Sequence, residues 1–523
     1  MDGSESSFLP DLINATADEL CFGLQSEHFT SLQLVRAYIR RSQQVQETLH
    51  AVLELNPDAE SIAASLDSER QQGQVRGSLH GLPVMLKGNI GTRDDMQTTA
   101  GSFALHGARL PADSTVAAKL RDQGLILLGK TSLTEWSMFR ANNWPHAWNP
   151  ISGQIYGAYC AKQCPGGSSG GSAVAADLGL CWAALGTETD GSIILPCERN
   201  NIVGIKPTVG LTSRFLVVPV SEHQDTVGPM ARTVKDAAQL LQVIAGPDPN
   251  DRYTTMSPPL PPTNNTNSGS KYMVACKLSG LEGKRIGIAR NVLEMSQSEV
   301  SNVVSAFHDA ISVMRSAGAT IVDNANFTAY ADWKKRKFNP VTRADFATNL
   351  PEFLTRLEHN PNDIHSVRDL RIFTQETRPV EEGYPQRNTR VWDYIIETDI
   401  DNKSAEFEAL YRENLYLGGE GGVLGALARH GLHAIALPTT VASSIPALVG
   451  SPIVTVPLGC MPADTPVETE TAGDAVERAP GIPCGISFLG PKWSEETLIE
   501  IAYAFEQKTR ARSTLQRHVE PTF

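Results

Sequence analysis

Between residues 31 and 49, Leu34, Val35, Tyr38, Ile39 and Val45 fall on one helical stripe, with polar residues around most of the remaining surface. That spacing predicts an amphipathic helix with Thr30 or Ser31 as its N-cap. Further on, apolar runs at 82–86 and 125–128 flank a helical pattern at 115–121, an alternation that belongs to α/β folds. Lys87 follows the first run directly, so it is placed where a buried strand ends. Residues 172–178 read as a helix closed by Gly179, and its N-terminus is a loop of serines and glycines toward which the helix dipole points its positive end. Later patterns predict a helix at 233–245, a strand at 285–289, a helix at about 298–314 and strands at 320–322, 434–437 and 452–456. The expected fold class is α/β, a central mixed β-sheet covered by helices on both faces.

Three stretches depart from this alternation. Residues 246–280 are rich in Pro, Asn and Ser, including Pro258-Pro259-Leu260-Pro261-Pro262, and read as a surface excursion. Residues 330–420 are charged and mostly helical in pattern, and 461–480 form an acidic insertion expected to be a mobile loop. There is no internal repeat. We expect one domain over 1–523, with core motifs at about 60–245 and 430–515 and a variable lobe at about 250–430 over the site.

Composition narrows the possible partners. The chain has 523 residues, 41% hydrophobic and 20% charged, with a formal charge of −13, which speaks against nucleic-acid or anionic-membrane surfaces. No apolar run approaches the ~20 residues of a membrane span. The acidic, polar start Met1-Asp2-Gly3-Ser4-Glu5 lacks the regions of a signal peptide, so a cytoplasmic location is expected and the sequons at Asn14, Asn264, Asn326 and Asn402 go unused. Of eight cysteines, no pair has metal-ligand spacing with nearby histidines, and Cys160 and Cys164 stand in a glycine-rich loop. They read as thiols, and no metal or organic cofactor is expected.

The chemistry lies in two segments. Cys164-Pro165-Gly166-Gly167-Ser168-Ser169-Gly170-Gly171-Ser172 and Gly186-Thr187-Glu188-Thr189-Asp190-Gly191-Ser192 set hydroxyls among glycines that let backbone amides face a ligand. Acyl transfer needs a nucleophile, a base and donors for an oxyanion. Ser192 follows a tight turn whose amides, at Thr189, Asp190, Gly191 and Ser192 itself, form a candidate oxyanion hole. No histidine lies in either segment, and His80 is the nearest to the first strand, so a desolvated lysine must be considered as base. Lys87, Lys130 and Lys206 each follow an apolar run and qualify almost equally. Two competing motifs appear by letter: a P-loop at Gly124 to Thr131, and Gly-x-Ser-x-Gly at 167–171, which would make Ser169 the nucleophile of an α/β-hydrolase.

The two segments, followed by Val203-Gly204-Ile205-Lys206-Pro207-Thr208, resemble the amidase signature family at its own spacing. The likeness includes Leu79 to Lys87, Thr98-Thr99-Ala100-Gly101-Ser102 and Asp225 to Arg232, with echoes at Gly485 to Gly490 and Phe505-Glu506-Gln507. It implies Lys87 as the catalytic lysine, Ser168 as a relay serine held through a cis peptide, and Ser192, 24 positions on, as the nucleophile. Hydrolysis of a carboxamide through an acyl-enzyme is implied, with a biosynthetic acyl transferase or a silent binding relative as alternatives. Glu135, Trp136, Phe139 and Arg140, in a segment that resembles the family's Thr-Asn-Leu-Ser-Glu-Trp run, are expected to line the substrate channel, with a core role for Trp136 and Phe139 as an equal alternative. Gly88, Asp190 and Ile194 depart from the commonest pattern, and the side chain of Asp190 is expected to point away from the oxyanion turn and hydrogen-bond its own loop. The Glu-Thr-Asp-Gly-Ser version resembles the branch of peptide amidases and fungal amidases. It implies a monomer or homodimer acting on a small-molecule or peptide amide, rather than a subunit of a tRNA amidotransferase.

Overall fold

The computed structural model describes residues 9–142, 145–258 and 271–522. The Met1–Glu5 start and most of the Pro/Asn run, Asn264 included, lie outside the described residues. Eleven strands form one sheet among the described residues: β1 (Val52–Leu55), β2 (Pro83–Lys87), β3 (Ile126–Thr131), β4 (Ala183–Glu188), β5 (Val203–Lys206), β6 (Thr226–Ala231), β7 (Arg285–Ile288), β8 (Thr320–Val322), β9 (Ala434–Pro438), β10 (Ile453–Cys460) and β11 (Pro483–Leu489). Their order is β1-β3-β2-β4-β6-β5-β10-β11-β9-β7-β8. β3, β2 and β4 run parallel, as do β9, β7 and β8, while the strands between are antiparallel. The sheet is therefore mixed and flanked by helices, as the sequence predicts.

The predicted elements fall close to their expected places. α1 (Ser31–Leu49) is capped by Thr30 in a reciprocal capping box with Gln33. α2 (Gly170–Asp177) starts in the Ser/Gly loop, α3 (Ile194–Arg199) follows the second motif, and α4 (Val234–Ile244) matches the 233–245 pattern. The helix expected at 298–314 is broken, with Gln297–Val300 separated from α5 (Val304–Ser316) by a turn. Val303 bonds back to Val300 there instead of continuing the ladder.

Residues 330–420 are helical, with α6 (Pro340–Leu354) and α7 (Arg390–Thr398) among them. Phe346, Leu350, Phe353 and Trp392 pack on Leu105, Trp136, Leu216 and Val218 in a second apolar cluster. This joins the helices to the loops beyond β2. The acidic stretch expected to be a mobile loop carries a hairpin instead, pairing Glu468–Thr469 with Val476–Arg478. Cys164 N donates to Val476 O at 2.8 Å, Val476 N to Lys162 O at 2.7 Å, and Lys162 Nζ meets Asp474 at 2.7 Å. Its polar groups are thus answered by the loop leading to Ser168.

Candidate active site

β2 and β4 are parallel neighbours with Val84 opposite Ala183 and Leu86 opposite Leu185, so their C-terminal ends emerge on one edge of the sheet. In open α/β sheets that edge is where ligands bind. Every residue of both strands is buried, which gives Lys87 and Thr187 no access to bulk water along their strands. Lys87, with no exposed surface, places Nζ 2.7 Å from Ser168 Oγ, 2.9 Å from Thr187 Oγ1 and 3.2 Å from Thr187 O. Burial lowers its pKa from 10.5 to about 7, against the opposing pull of Asp225 and Glu188. A neutral amine has two N–H bonds and one lone pair. It can donate to the two oxygens of Thr187 and accept the proton of Ser168.

Lys130 and Lys206 are buried too, and burial lowers each to about 8. Neither meets a serine hydroxyl: Lys130 donates to Ile90 O at 2.5 Å and Thr98 Oγ1 at 3.3 Å, and Lys206 to Ser451 O at 2.5 Å. Both cations are tied mainly to carbonyls. Of the three lysines the sequence left open, Lys87 is the one that faces the Ser/Gly loop.

That loop is fixed from both sides. Ser168 O accepts Thr134 N at 3.0 Å, and the Gly167–Ser168 peptide is cis. α2 approaches the sheet so closely that a Cβ at Gly171 would lie 2.4 Å from Ser132 O and 2.5 Å from Ala51 O. Only glycine fits there. Ser169 N donates to Ser192 O at 3.2 Å, which joins the two motifs backbone to backbone, and Ser169 Oγ donates to Thr187 O at 3.1 Å. Among the described residues no hydrogen bond links the Ser168 and Ser192 hydroxyls; such contacts are commonly long before substrate binds.

The turn between β4 and α3 is organised by carboxylates beneath it. Glu188 Oε2 accepts the amides of Ile193 at 2.8 Å and Ile194 at 3.1 Å, and its charged form is further favoured by the Gly191 amide. Of the four amides expected to face an oxyanion, that of Gly191 is therefore shared with Glu188. Gly191 has φ +82°, a conformation that side chains rarely adopt. Thr189 Oγ1 donates to Asp225 Oδ1 at 2.6 Å, while Asp225 Oδ2 accepts the amides of Val220 and Ser221. Asp190 is exposed and accepts from Ser444 Oγ at 3.1 Å, so its carboxylate is turned toward the 444 segment and not, as the sequence reading expected, hydrogen-bonded to its own loop. Ser192 is 5% exposed.

A narrow cleft beside Lys87 is lined by Asn89, Ser137, Thr187, Thr189, Val217 and Val220. Asn89 Nδ2 donates to Thr187 Oγ1 at 3.0 Å, and the Asn89 backbone carbonyl accepts Val218 N at 2.9 Å. Asn89, Asp225 and the 216–220 wall were missed by the sequence reading. Asn89 lies two positions beyond the lysine, and that spacing was the one signal available.

Of the residues expected to line a substrate channel, Glu135, Trp136 and Arg140 are closed off from solvent. Arg140 is held by Glu135 at 2.7 Å and Glu382 at 3.3 Å, and Trp136 meets Trp392 edge to face. Phe139 is half-buried against Phe346. From this run it is Ser137 that reaches the cleft, because residues 136–138 all adopt positive φ and turn the chain there. The P-loop reading fails because Ile126–Thr131 is the buried strand β3. The α/β-hydrolase reading needs a strand before Ser169, and 164–167 is irregular loop.

A family model described as Amidase matches residues 33–499. A relative from Arthroderma benhamiae named "Putative amidase" is 48% identical, over 98% of this chain and 88% of its own. The crystal structure of native peptide amidase from Stenotrophomonas maltophilia superposes with a TM-score of 0.84 at 34% identity, covering 98% of this chain and 99% of that one. An amidase family protein from Bacillus anthracis gives 0.82 at 26% identity, covering 98% and 93%. With the lysine, both serine motifs and the sheet edge that carries them in place, this chain belongs to the amidase family and is an amide-hydrolysing enzyme.

Proposed function

We propose that the protein hydrolyses a carboxamide through a covalent acyl-enzyme on Ser192, with Ser168 and Lys87 as its proton relay. The observation that carries this reading is the 2.7 Å contact between the Lys87 amine and Ser168 Oγ, two side chains with no exposed surface. Ser168 passes its proton to neutral Lys87 and takes one from Ser192, whose oxygen attacks the carbonyl carbon. Amides of the Thr189–Ser192 turn stabilise the oxyanion. As the C–N bond breaks, the proton returns through Ser168 to the leaving nitrogen, and ammonia or an amine departs. Water activated by the same pair then cleaves the ester. The apolar wall at Val217–Val220 suits an amide with an apolar acyl group, and a peptide C-terminal amide is the second candidate, in keeping with the likeness to a peptide amidase. The whole chain acts as one catalytic unit, without metal or organic cofactor in the reaction.

The test is serine-directed labelling. A fluorophosphonate should add to Ser192, located by peptide mapping of the intact-mass adduct, and the adduct should vanish in Lys87→Ala. An adduct on Ser169, or none, overturns the reading.

Two further outcomes are expected. kcat/KM should rise with pH through about 7, because only the neutral Lys87 amine accepts a proton and burial sets its pKa there. A profile flat from pH 5.5 to 8.5 would exclude lysine as the base. Ser169→Ala should keep activity within about tenfold, since it loses one neutral hydrogen bond to Thr187 O, typically ~1 kcal/mol.

A further inference from the structure

Away from Lys87, four side chains distant in sequence converge beneath the loop that leads to Ser168. His146 Nδ1 lies 3.5 Å from Glu470 Oε1 and 3.3 Å from Glu477 Oε1. Cys164 Sγ lies 3.2 Å from Glu470 Oε1 and 3.8 Å from His146 Nδ1. One donor atom from each of the four falls within 4.8 Å of all the others. A tetrahedral ion with metal–ligand lengths of ~2.0–2.3 Å separates its donors by roughly 3.3–3.6 Å; the four contacts above, 3.2–3.8 Å, lie near that separation, and the remaining pairs lie within 4.8 Å. The set of one sulfur, one imidazole nitrogen and two carboxylate oxygens is also the donor chemistry of a zinc-class cation.

A second observation is independent of that spacing. The Glu470 side chain is 7% exposed, and its Oε2 is buried with no hydrogen-bond partner among the described residues. Buried carboxylate oxygens are normally satisfied, and a cation would satisfy one left open beside a second carboxylate. A bound divalent ion would displace the Cys164 proton and take the thiolate as a ligand beside the two carboxylates, while Arg199 donates to the backbone carbonyl of Glu477 at 2.6 Å. Of the other nearby cations, Arg387 is engaged by Ala472 O at 2.5 Å and by the Trp148 ring, Lys162 by Asp474 at 2.7 Å and Arg478 by Glu468 at 3.6 Å.

We propose that His146, Cys164, Glu470 and Glu477 bind a structural zinc-class divalent ion that pins the 468–478 hairpin to the loop carrying Ser168. Cys164 lies four residues before Ser168, so the ion would hold the chain as it enters the loop whose Ser168 carbonyl accepts Thr134 N. Spacing along the sequence could not show this, because two ligands come from an insertion over 300 residues away from the other two.

The test is titration of the full-length protein with Co²⁺ after dialysis against a chelator. One equivalent should bind, giving the strong visible bands of tetrahedral cobalt and a near-ultraviolet thiolate charge-transfer band, with Zn²⁺ abolishing both by displacement. Cys164→Ser should lose the charge-transfer band, and zinc should raise the unfolding midpoint of the wild type but not of Cys164→Ser. If that variant fails to fold, Glu477→Gln, on the more exposed rim, should show the loss of tetrahedral cobalt bands. Failure of the wild type to bind cobalt overturns the proposal, as do weak octahedral bands or spectra unchanged in the variants. The labelling of Ser192 is read separately, so neither result prejudges the other.

Discussion

Ser192→Ala is expected to reduce amide hydrolysis by about four to six powers of ten, the scale on which hydrolases lose rate when the nucleophile of a catalytic triad is removed. The oxyanion turn survives the change, since the contacts that shape it are the Glu188 carboxylate to the Ile193 and Ile194 amides and Thr189 to Asp225. The contact between the two motifs also survives, because Ser192 accepts Ser169 N through its backbone carbonyl. Residual rate should therefore reflect oxyanion stabilisation and binding alone. The check is kcat/KM on a panel of primary amides, alongside fluorophosphonate labelling and circular dichroism. A variant that folds normally and retains a tenth of wild-type activity would remove Ser192 from the mechanism. Ser169→Ala, one residue beyond the relay serine, is the internal contrast, because the competing Gly-x-Ser-x-Gly reading requires it to be dead.

Much of the fold was legible because its strands are apolar runs and its helices carry a periodic stripe. β2 reads from Leu82 to Leu86 because strands buried on both faces need continuous hydrophobic residues. β4, Ala-Ala-Leu-Gly-Thr-Glu, and β6, Thr-Val-Gly-Pro-Met-Ala, were not called, because glycine and proline dilute the signal exactly where neighbouring segments approach closely. A Cβ on Gly186 would meet Met230 Sδ at 2.6 Å, so close packing selects against the residues that announce a strand. The site divides along the same line. Ser168 and Ser192 stand out through their glycines, whereas Lys87 could not be told from Lys130 and Lys206 by any local pattern, since all three end buried segments. Resemblance chose among them, and what distinguishes them physically is the partner each amine meets across the sheet. Asn89, Asp225 and the Glu135–Arg140–Glu382 cluster depend on contacts between distant segments, which no window of sequence contains.

Lys87→Met should abolish turnover while making the protein more stable. A base whose folded pKa is lowered binds its proton more tightly in the unfolded chain, so it opposes folding below the unfolded pKa. With 10.5 lowered to about 7, the full penalty applies below pH 7 and fades as pH rises toward 10.5. At about 1.4 kcal/mol per unit, the shift corresponds to roughly 5 kcal/mol, an upper bound for so buried a group. Methionine fills the same space without that penalty. Two of the three oxygens that lose Lys87 keep other donors, since Thr187 Oγ1 retains Asn89 Nδ2 and Thr187 O retains Ser169 Oγ. Ser168 Oγ loses its partner, at a cost of about 1–3 kcal/mol. The net expectation at pH 7 is a gain of ~1–3 kcal/mol, visible as a higher unfolding midpoint, together with a loss of most of the rise in stability from pH 7 to 10. Calorimetric scans of both proteins across that range decide it. A variant that is inactive but less stable at pH 7 would mean that the amine is held there by interactions stronger than its desolvation, which would place its pKa above 7 and remove its standing as a base at neutral pH.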